Sequence, residues 1–553
     1  MTDPPSPAAA TAPGHRPGRW AWCALLVVLV LAAAVRYRLR AVPLERDEGE
    51  YAYAGQLLLQ GVLPWSEIYN MKLPGTYGAY AAILAVFGQT ASGIHLGLLA
   101  VNALSIVLLF LLARRLADPW TALYAAASYA LLSTLPSVQG VFANAEHFVV
   151  LPALAGLLAL LAGLDRERSA LLFASGVLLG LAVLAKQHGV GFAAAGGLYL
   201  LVDGLRRQPR DLRRLARRCA WFAGGLALPV AATFLVLYLG GVFEKFWFWT
   251  VTYASSYAAA VPLEQGLGYL KGNGGAVVAA AVPVWVLAAV GVVAIPWDRR
   301  PQQRPWFTAL FVLFSFLAVW PGLYFRPHYF ALALPAAALT AGLGLAVLVR
   351  AFGRRLPPRP RRLAAAVVAA ATLAVPVYQH RGFLLTMTAE EVARDVYGLN
   401  PFPESERLAA FLREQSDAGD RVAVIGSEPQ IYFYAQRRAA TGYIYTYALM
   451  ENQPAALEMQ EEMIREIEAA APRFLVWVNV SASWLKQPTS PTRIFDWFRK
   501  YRRRERYRPV ALVEIKPDGT EYHWGPRIPR PEPASVWIAV HRRNGRLRAS
   551  QSE

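Results

Sequence analysis

Leu44-Glu45-Arg46-Asp47-Glu48-Gly49-Glu50-Tyr51, running on to Met71-Lys72-Leu73-Pro74-Gly75, is an acidic and aromatic stretch set between apolar segments. Crossing the hydrocarbon of a bilayer takes roughly 20 apolar residues in a helix, and the flanking segments approach that length. Charge this dense beside lipid is costly unless water or partners meet it, so the stretch reads as functional rather than incidental. The fold that follows is a set of membrane-spanning helices around a wet, acidic loop.

Working outward, Trp20 to about Val35 is the first span. No small-residue cleavage site with a polar start follows it, which argues against a removed signal peptide. Residues 1–19, rich in Pro and Ala, read as a disordered cytoplasmic tail. Ten further apolar segments lie near 93–113, 119–136, 146–164, 169–185, 189–205, 219–240, 275–296, 306–321, 328–349 and 363–379. Residues 76–88 are apolar but short, and read as an interfacial segment or half-helix. The expected fold is thus an α-helical polytopic membrane protein with about 11 spans over 20–379. A soluble α/β domain then covers 380–553.

Composition agrees. Of 553 residues, 56% are hydrophobic, richer than ordinary soluble domains. The net charge of +19 sits in short clusters between apolar runs, which suits membrane topology and not nucleic-acid binding. Arg114-Arg115, the Arg206 to Arg218 cluster, Asp298-Arg299-Arg300 and the Arg350 to Arg362 cluster fall on alternate loops. Positive loops face the cytoplasm, so the acidic stretch and the C-terminal domain are expected outside and the N-terminus inside. Arg36, Arg38 and Arg40 break the pattern; snorkelling to headgroups is favoured over capture of a lipid phosphate. Cys23 and Cys219, both in or beside apolar runs, read as small buried thiols.

Beyond residue 380 the hydropathy drops. Arg421–Gly426, Phe474–Asn479, Pro509–Glu514 and Val536–Val540 read as strands, and Ser405–Ser416 and Pro454–Ala470 as helices. The basic segment Arg499–Arg508 is a solvated face or a lid toward anionic headgroups.

Moving a sugar from a phosphate to a hydroxyl or amine needs a base at the acceptor and positive charge at the leaving phosphate. Asp47 or Glu48 can supply the base. Neighbouring residues point apart, so one acts at the reaction centre while the other braces the loop or a metal. Asp47 with Glu50 three residues later also fits the reciprocal pairing of a helix start, and both roles stay open. Lys72, beside Pro74 and Gly75, suits a lipid-linked phosphate as a point charge, or simply snorkels. Arg326 offers a planar fork for phosphate oxygens. Lys186, His188, His328 and Tyr329 lie at the same expected outer ends. His147, His188 and His328 with Glu146 carry metal-ligand chemistry, but none has an i,i+4 partner; no cofactor is assigned and a divalent metal is left open. Phe243–Trp249 reads as an interfacial aromatic belt, with sugar stacking the minority alternative. Gly266-Leu-Gly268 and Gly272-Asn-Gly-Gly275 lack a dinucleotide-fold context, and no nucleophile elbow or His-Glu-x-x-His helix occurs.

Asp47-Glu48 after the first span, Tyr69-x-x-Lys72-x-Pro74 before the second and Arg114-Arg115 closing it resemble the protein O-mannosyltransferase and aminoarabinose-transferase-like families. These include the family 39 and RgtA-like bacterial glycosyltransferases, and share the GT-C membrane fold. The resemblance implies a polyprenyl-phosphate sugar donor and a glycan, lipid or protein acceptor. It also implies inversion at the anomeric carbon. It makes Asp47 the base, Glu48 its companion and Lys72 a donor-phosphate contact. Glu146, with His147 beside it, sits where relatives place a second acidic residue, often Asp; it equally suits a plain helix N-terminus. The rival class is a non-catalytic glycolipid-binding or transport protein, which would tolerate loss of Asp47.

Overall fold

The computed structural model describes residues 18–297, 304–353, 357–532 and 535–544. The expected N-terminal tail, the Asp298–Arg300 cluster, and Arg354 and Arg355 of the last cluster lie outside them, apart from residues 18 and 19. Nine helices lead the chain: α1 (Arg19–Arg38), α2 (Arg46–Leu59), α3 (Pro74–Phe87), α4 (Ala91–Leu116), α5 (Pro119–Leu132), α6 (Ala145–Arg166), α7 (Ser169–Ala185), α8 (Val190–Arg206) and α9 (Leu212–Leu239). Their boundaries follow local chemistry. Thr90, Asp118 and Asp211 cap α4, α5 and α9 by accepting from first-turn amides, and Pro119 opens α5 where a missing N–H is harmless.

All eleven apolar segments fall on helices, and the chain is a multi-pass membrane protein. Among the described residues, seven helices alone are long and apolar enough to span, or eight if one bent pair counts as a span. That pair corrects the single span expected over 275–296: Leu263–Ala279 and Val282–Ala294 meet at 104°. Pro283 in the first turn of the second helix disfavours helical backbone ahead of it, so the break falls there. Small residues let spans touch at the backbone. A Cβ on Gly176 of α7 would overlap the Phe222 carbonyl of α9, and one on Gly225 of α9 that of Phe173.

The two ends of the bundle differ. At one, Arg115 pairs with Asp165 at 2.9 Å and Arg207 with Asp203 at 2.8 Å, while Arg214 and Arg218 reach Glu167. At the other, the start of α6 meets the loop after α7 through a Glu146–Lys186 ion pair. Arg36 and Arg38 take neither role expected of them. Arg36 is buried and donates to the carbonyls of Gly140 (2.9 Å) and Ser133 (2.6 Å); Arg38 donates to those of Phe383, Leu384 and Met387. A guanidinium has five donors, enough to satisfy chain carbonyls left free where helices end.

The C-terminal part carries one six-stranded sheet: β1 (Arg421–Ile425), β2 (Arg438–Ala439), β3 (Phe474–Asn479), β4 (Tyr507–Lys516), β5 (Gly519–Trp524) and β6 (Val536–Arg543). The order is β2-β1-β3-β6-β4-β5, parallel through β2, β1 and β3 and antiparallel beyond. The four expected strands are present; β2 and β5 were not anticipated. Helices Phe402–Glu414 and Ala456–Ala470 match the two expected. The basic segment is mostly helix, Arg493–Arg504, which buries Ile494, Trp497, Phe498 and Tyr501 and leaves most of its arginines outward.

The sheet domain is bolted to α2. Arg46 pairs with Glu428 just past β1 at 2.6 Å, both buried, and donates to the Ser427 carbonyl at 2.8 Å. A buried, hydrogen-bonded ion pair fixes geometry more than it adds stability. Gly49 lies so close to Gln430 that a Cβ would sit 2.5 Å from its amide nitrogen.

Candidate active site

The acidic stretch folds into the first turn of α2, with a register one pair earlier than expected. Glu45, not Asp47, is the N-cap: its carboxylate accepts from the Asp47 and Glu48 amides, and Glu48 returns the bond to the Glu45 amide. That reciprocal box uses Glu45 and Glu48 and so leaves Asp47 free to turn elsewhere. Glu48 is fully buried; its Oε1 accepts from the Ala143 amide and lies 2.9 Å from His95 Nε2. It lines neither of the two cavities described below, and its bonds tie the start of α2 to Ala143 and His95. Glu50 is buried beneath, bonded by Asn70 at 2.7 Å and by the Tyr77 hydroxyl. It holds the 65–72 loop that presents Lys72. Burial, partly offset by Lys72, pushes the Glu50 carboxyl up to about 7.

Asp47 lines a cavity of about 50 Å³ together with Lys72, Arg326, His328 and Tyr329. Lys72 Nζ lies 3.1 Å from Asp47 Oδ2, and the Tyr445 hydroxyl donates to Oδ1 at 3.0 Å. Burial alone would raise the Asp47 carboxyl, but the Lys72 ammonium together with His328, Arg326 and Lys186 outweighs it and holds the group well below the ordinary carboxylate range. Lys72 is raised in turn: burial is overcome by Asp47 and Glu50. Arg326 follows a strained turn in which Gly322, Leu323 and Phe325 have φ of 77°, 57° and 42°. Its guanidinium meets the Tyr257 hydroxyl at 3.3 Å, and Tyr257 with other neighbours keeps it firmly charged despite burial. Three cationic or anionic side chains thus converge on one polar hollow between the helices and the sheet domain. The sheet-domain wall of the hollow is Tyr445, Tyr447, Ala448 and Glu451, in the chain that follows β2.

A second, more apolar cavity of about 130 Å³ abuts the first and shares Met71, Lys72, Tyr257 and Tyr329 with it. Lys186 and His188 line it; Lys186 Nζ sits 4.1 Å over the Tyr329 ring. His188 is buried with neither ring nitrogen hydrogen-bonded, and Glu146 Oε2 is likewise unpartnered.

The expected metal set does not converge. Glu146 is taken by Lys186, His328 Nδ1 lies 2.8 Å from Gln139, and His147 is buried in α6 away from both cavities. Among the described residues the one three-ligand cluster is Glu514, Glu521 and His523, on β4 and β5, outside this site. The aromatic run divides: Trp247 and Phe248 are exposed as a belt would be, but Trp249 is buried and lines the Asp47 cavity. Tyr253, Tyr257, Tyr445, Tyr447 and Glu451 complete that cavity and were not singled out from sequence. The signal available was the alternating Tyr443-Ile-Tyr445-Thr-Tyr447 run and the i,i+4 pair Tyr253 and Tyr257.

Residues 74–237, from the first residue of α3 into α9, match the family model described as dolichyl-phosphate-mannose-protein mannosyltransferase. The undecaprenyl phosphate-alpha-4-amino-4-deoxy-L-arabinose arabinosyl transferase of Pseudomonas aeruginosa (strain LESB58) is 34% identical over 197 residues, 34% of this chain and 34% of that protein. That of Pseudomonas paraeruginosa is 34% identical over 195 residues, with 34% of each chain covered. The matched stretch spans about a third of these curated relatives. Solved structures extend the likeness to nearly the whole chain. ArnT from Cupriavidus metallidurans, bound to undecaprenyl phosphate, superposes with a TM-score of 0.58 at 17% identity, covering 94% of this chain and 98% of that one. The arabinofuranosyltransferase AftD from Mycobacteria gives 0.53 at 13% identity, covering 96% and 40%.

The fold is GT-C. Within that frame the acidic stretch at the start of α2 meets the C-terminal sheet domain through Arg46–Glu428 and Asp47–Tyr445.

Proposed function

We propose that this GT-C protein is a glycosyltransferase acting on a polyprenyl-phosphate sugar at the extracytoplasmic face of a cell membrane. The acceptor is a glycan, lipid or protein of the envelope. The observation that carries the proposal is the convergence of Asp47, Lys72 and Arg326 on one cavity. A carboxylate beside two fixed cations is what transfer from a phosphate leaving group requires. The acceptor oxygen or nitrogen attacks the anomeric carbon and its proton passes to Asp47. The bond from that carbon to the phosphate oxygen breaks, and the electron pair leaves on the lipid phosphate, where Lys72 and Arg326 hold the charge. Displacement from the opposite face gives inversion. The more apolar neighbouring cavity, with Lys186 and His188, would take the donor's phosphate-proximal end.

The Asp47–Lys72 pair gives the order of events a physical basis. While Lys72 lies on Asp47 the carboxylate is a weak base. A donor phosphate that draws Lys72 away removes the charge that depresses Asp47 and raises its basicity where the acceptor arrives. Sidedness rests on the arginine-rich end of the bundle lying opposite the site. The likeness of the fold to ArnT, whose structure holds undecaprenyl phosphate, supports the donor class.

The test is Asp47→Asn in the purified protein, with mass spectrometry of envelope glycolipids and glycans from cells with and without the gene product. General-base loss is worth about 10²–10⁴ in rate, so transfer should fall at least a hundredfold with membrane insertion intact. Undiminished turnover by Asp47→Asn would overturn Asp47 as the base, and absence of transfer by the parent would leave the binding or transport alternative standing.

A further inference from the structure

Away from the two cavities, the sheet domain carries a groove of about 1650 Å³. It runs between the exposed face of β3, β6 and β4 and the helix Arg493–Arg504, and is closed at one side by residues 528–531. Ligand pockets for compact molecules run roughly 300–1,000 Å³, so this one suits an extended occupant. Its floor is aromatic. Trp477 stacks on Phe498 with centroids 4.4 Å apart, Trp484 meets Phe495 at 4.8 Å, and Trp537 is half-buried beside them. Its rim is cationic: Lys486, Arg499, Arg502 and Arg530 line it against one carboxylate, Asp496, which pairs with Arg499. Arg502 is aimed by His541, whose Nε2 lies 2.7 Å from the guanidinium.

The half-buried rings of Trp477, Phe495 and Trp537 can meet the C–H faces of sugar rings, and a guanidinium fork matches a carboxylate or phosphate. A lipid surface fits less well, because the aromatic side chains are recessed on the floor rather than projecting. The groove also adjoins the active site through one short turn. Ser481, Ala482 and Trp484 line it, while the Ala482 carbonyl accepts from Tyr447 at 2.7 Å and the Ser483 carbonyl from Thr446 at 3.2 Å. Tyr447 in turn lines the Asp47 cavity.

We infer that this groove is an acceptor subsite for an acidic sugar chain, whose end passes the Ser481–Trp484 turn to reach Asp47. The inference rests on the glycosyltransferase reading for its purpose, but the groove's binding is tested without turnover. Full-length protein in detergent is titrated by tryptophan fluorescence with an oligogalacturonide and with a neutral maltooligosaccharide of equal length. The acidic chain should bind saturably and more weakly as salt rises, and the neutral chain should bind at least tenfold more weakly. Arg499→Glu with Arg530→Glu, both at exposed positions, should weaken the acidic chain at least tenfold while leaving the unfolding temperature unchanged. Asp47→Asn should bind it as the parent does, so a failed transferase assay and a failed groove are told apart. The same oligogalacturonide carrying an alkyl tail separates the two sources: tighter binding marks a glycolipid headgroup, equal binding a free envelope chain. Equal affinity for acidic and neutral chains, or no effect of the double charge reversal, overturns the inference. So does loss of phosphatidylglycerol-vesicle binding in that variant when the oligogalacturonide titration is flat.

Discussion

Removing the Lys72 ammonium should take away most of Asp47's contribution to stability. The two charges lie 3.1 Å apart, with side chains 19% and 16% exposed. At an effective dielectric near 20, unit charges about 4 Å apart attract by about 4 kcal/mol. Desolvation returns part of that, leaving a coupling of about 2–3 kcal/mol, or about 2 units of carboxyl pKa. In the parent, Asp47 is depressed below its ordinary 3.8. Its stabilisation is therefore fully present above that value and is lost only as pH falls through the lowered one. In Lys72→Met the carboxyl stays buried with Arg326 and Lys186 as its remaining cations, so its pKa returns by about 2 units toward the ordinary value. The stabilisation it supplies above that value shrinks by the same amount. The gap between parent and Lys72→Met should be full from about pH 8 down to about pH 5 and close as pH falls through the carboxyl range. Thermal unfolding in detergent, followed by tryptophan fluorescence, reads it. Lys72 also touches the titration of Glu50, so the cycle is closed with Asp47→Asn, which subtracts that part. A coupling under about 0.5 kcal/mol, or a gap that does not change with pH, would refute the pairing argument.

Glu48→Gln should leave the rate per folded molecule near the parent's while lowering the unfolding temperature, because the carboxylate receives the Ala143 amide and faces His95 rather than the cavity; turnover normalised to active protein checks it. Glu428→Gln strips the buried Arg46 of its counter-charge, and limited proteolysis should find the sheet domain loosened by about 3–5 kcal/mol. Glu50, raised to about 7, contributes stability that is full below about 4.5 and declines as pH rises through 7, so Glu50→Gln should flatten that decline in a pH series of unfolding temperatures.

Asp47 and Lys72 were legible because charge beside a spanning segment is expensive and therefore informative. The spans were legible by length, and β3 by its unbroken apolar run. What escaped has physical reasons. Tyr445 reaches Asp47, and Tyr447 its cavity, from some 400 positions along the chain, with no local periodicity to announce it. The α2 register was misplaced because Glu is a poor N-cap by preference, and Asp47 two residues on is a better one. Arg36 and Arg38 answer to carbonyls of residues 133–140 and 383–387, and a free carbonyl leaves no mark on a sequence. β5 carries Thr520 on the face of Tyr522 and Trp524, where alternation would want an apolar residue, and β2 is two residues long.

Met71, Lys72, Tyr257 and Tyr329 form a single partition between two rooms. A movement that swells one chamber trims the other, so their guests compete for volume even where they never touch. Bulk added to the lipid-side guest should therefore be felt as crowding by whatever waits on the other side of the wall.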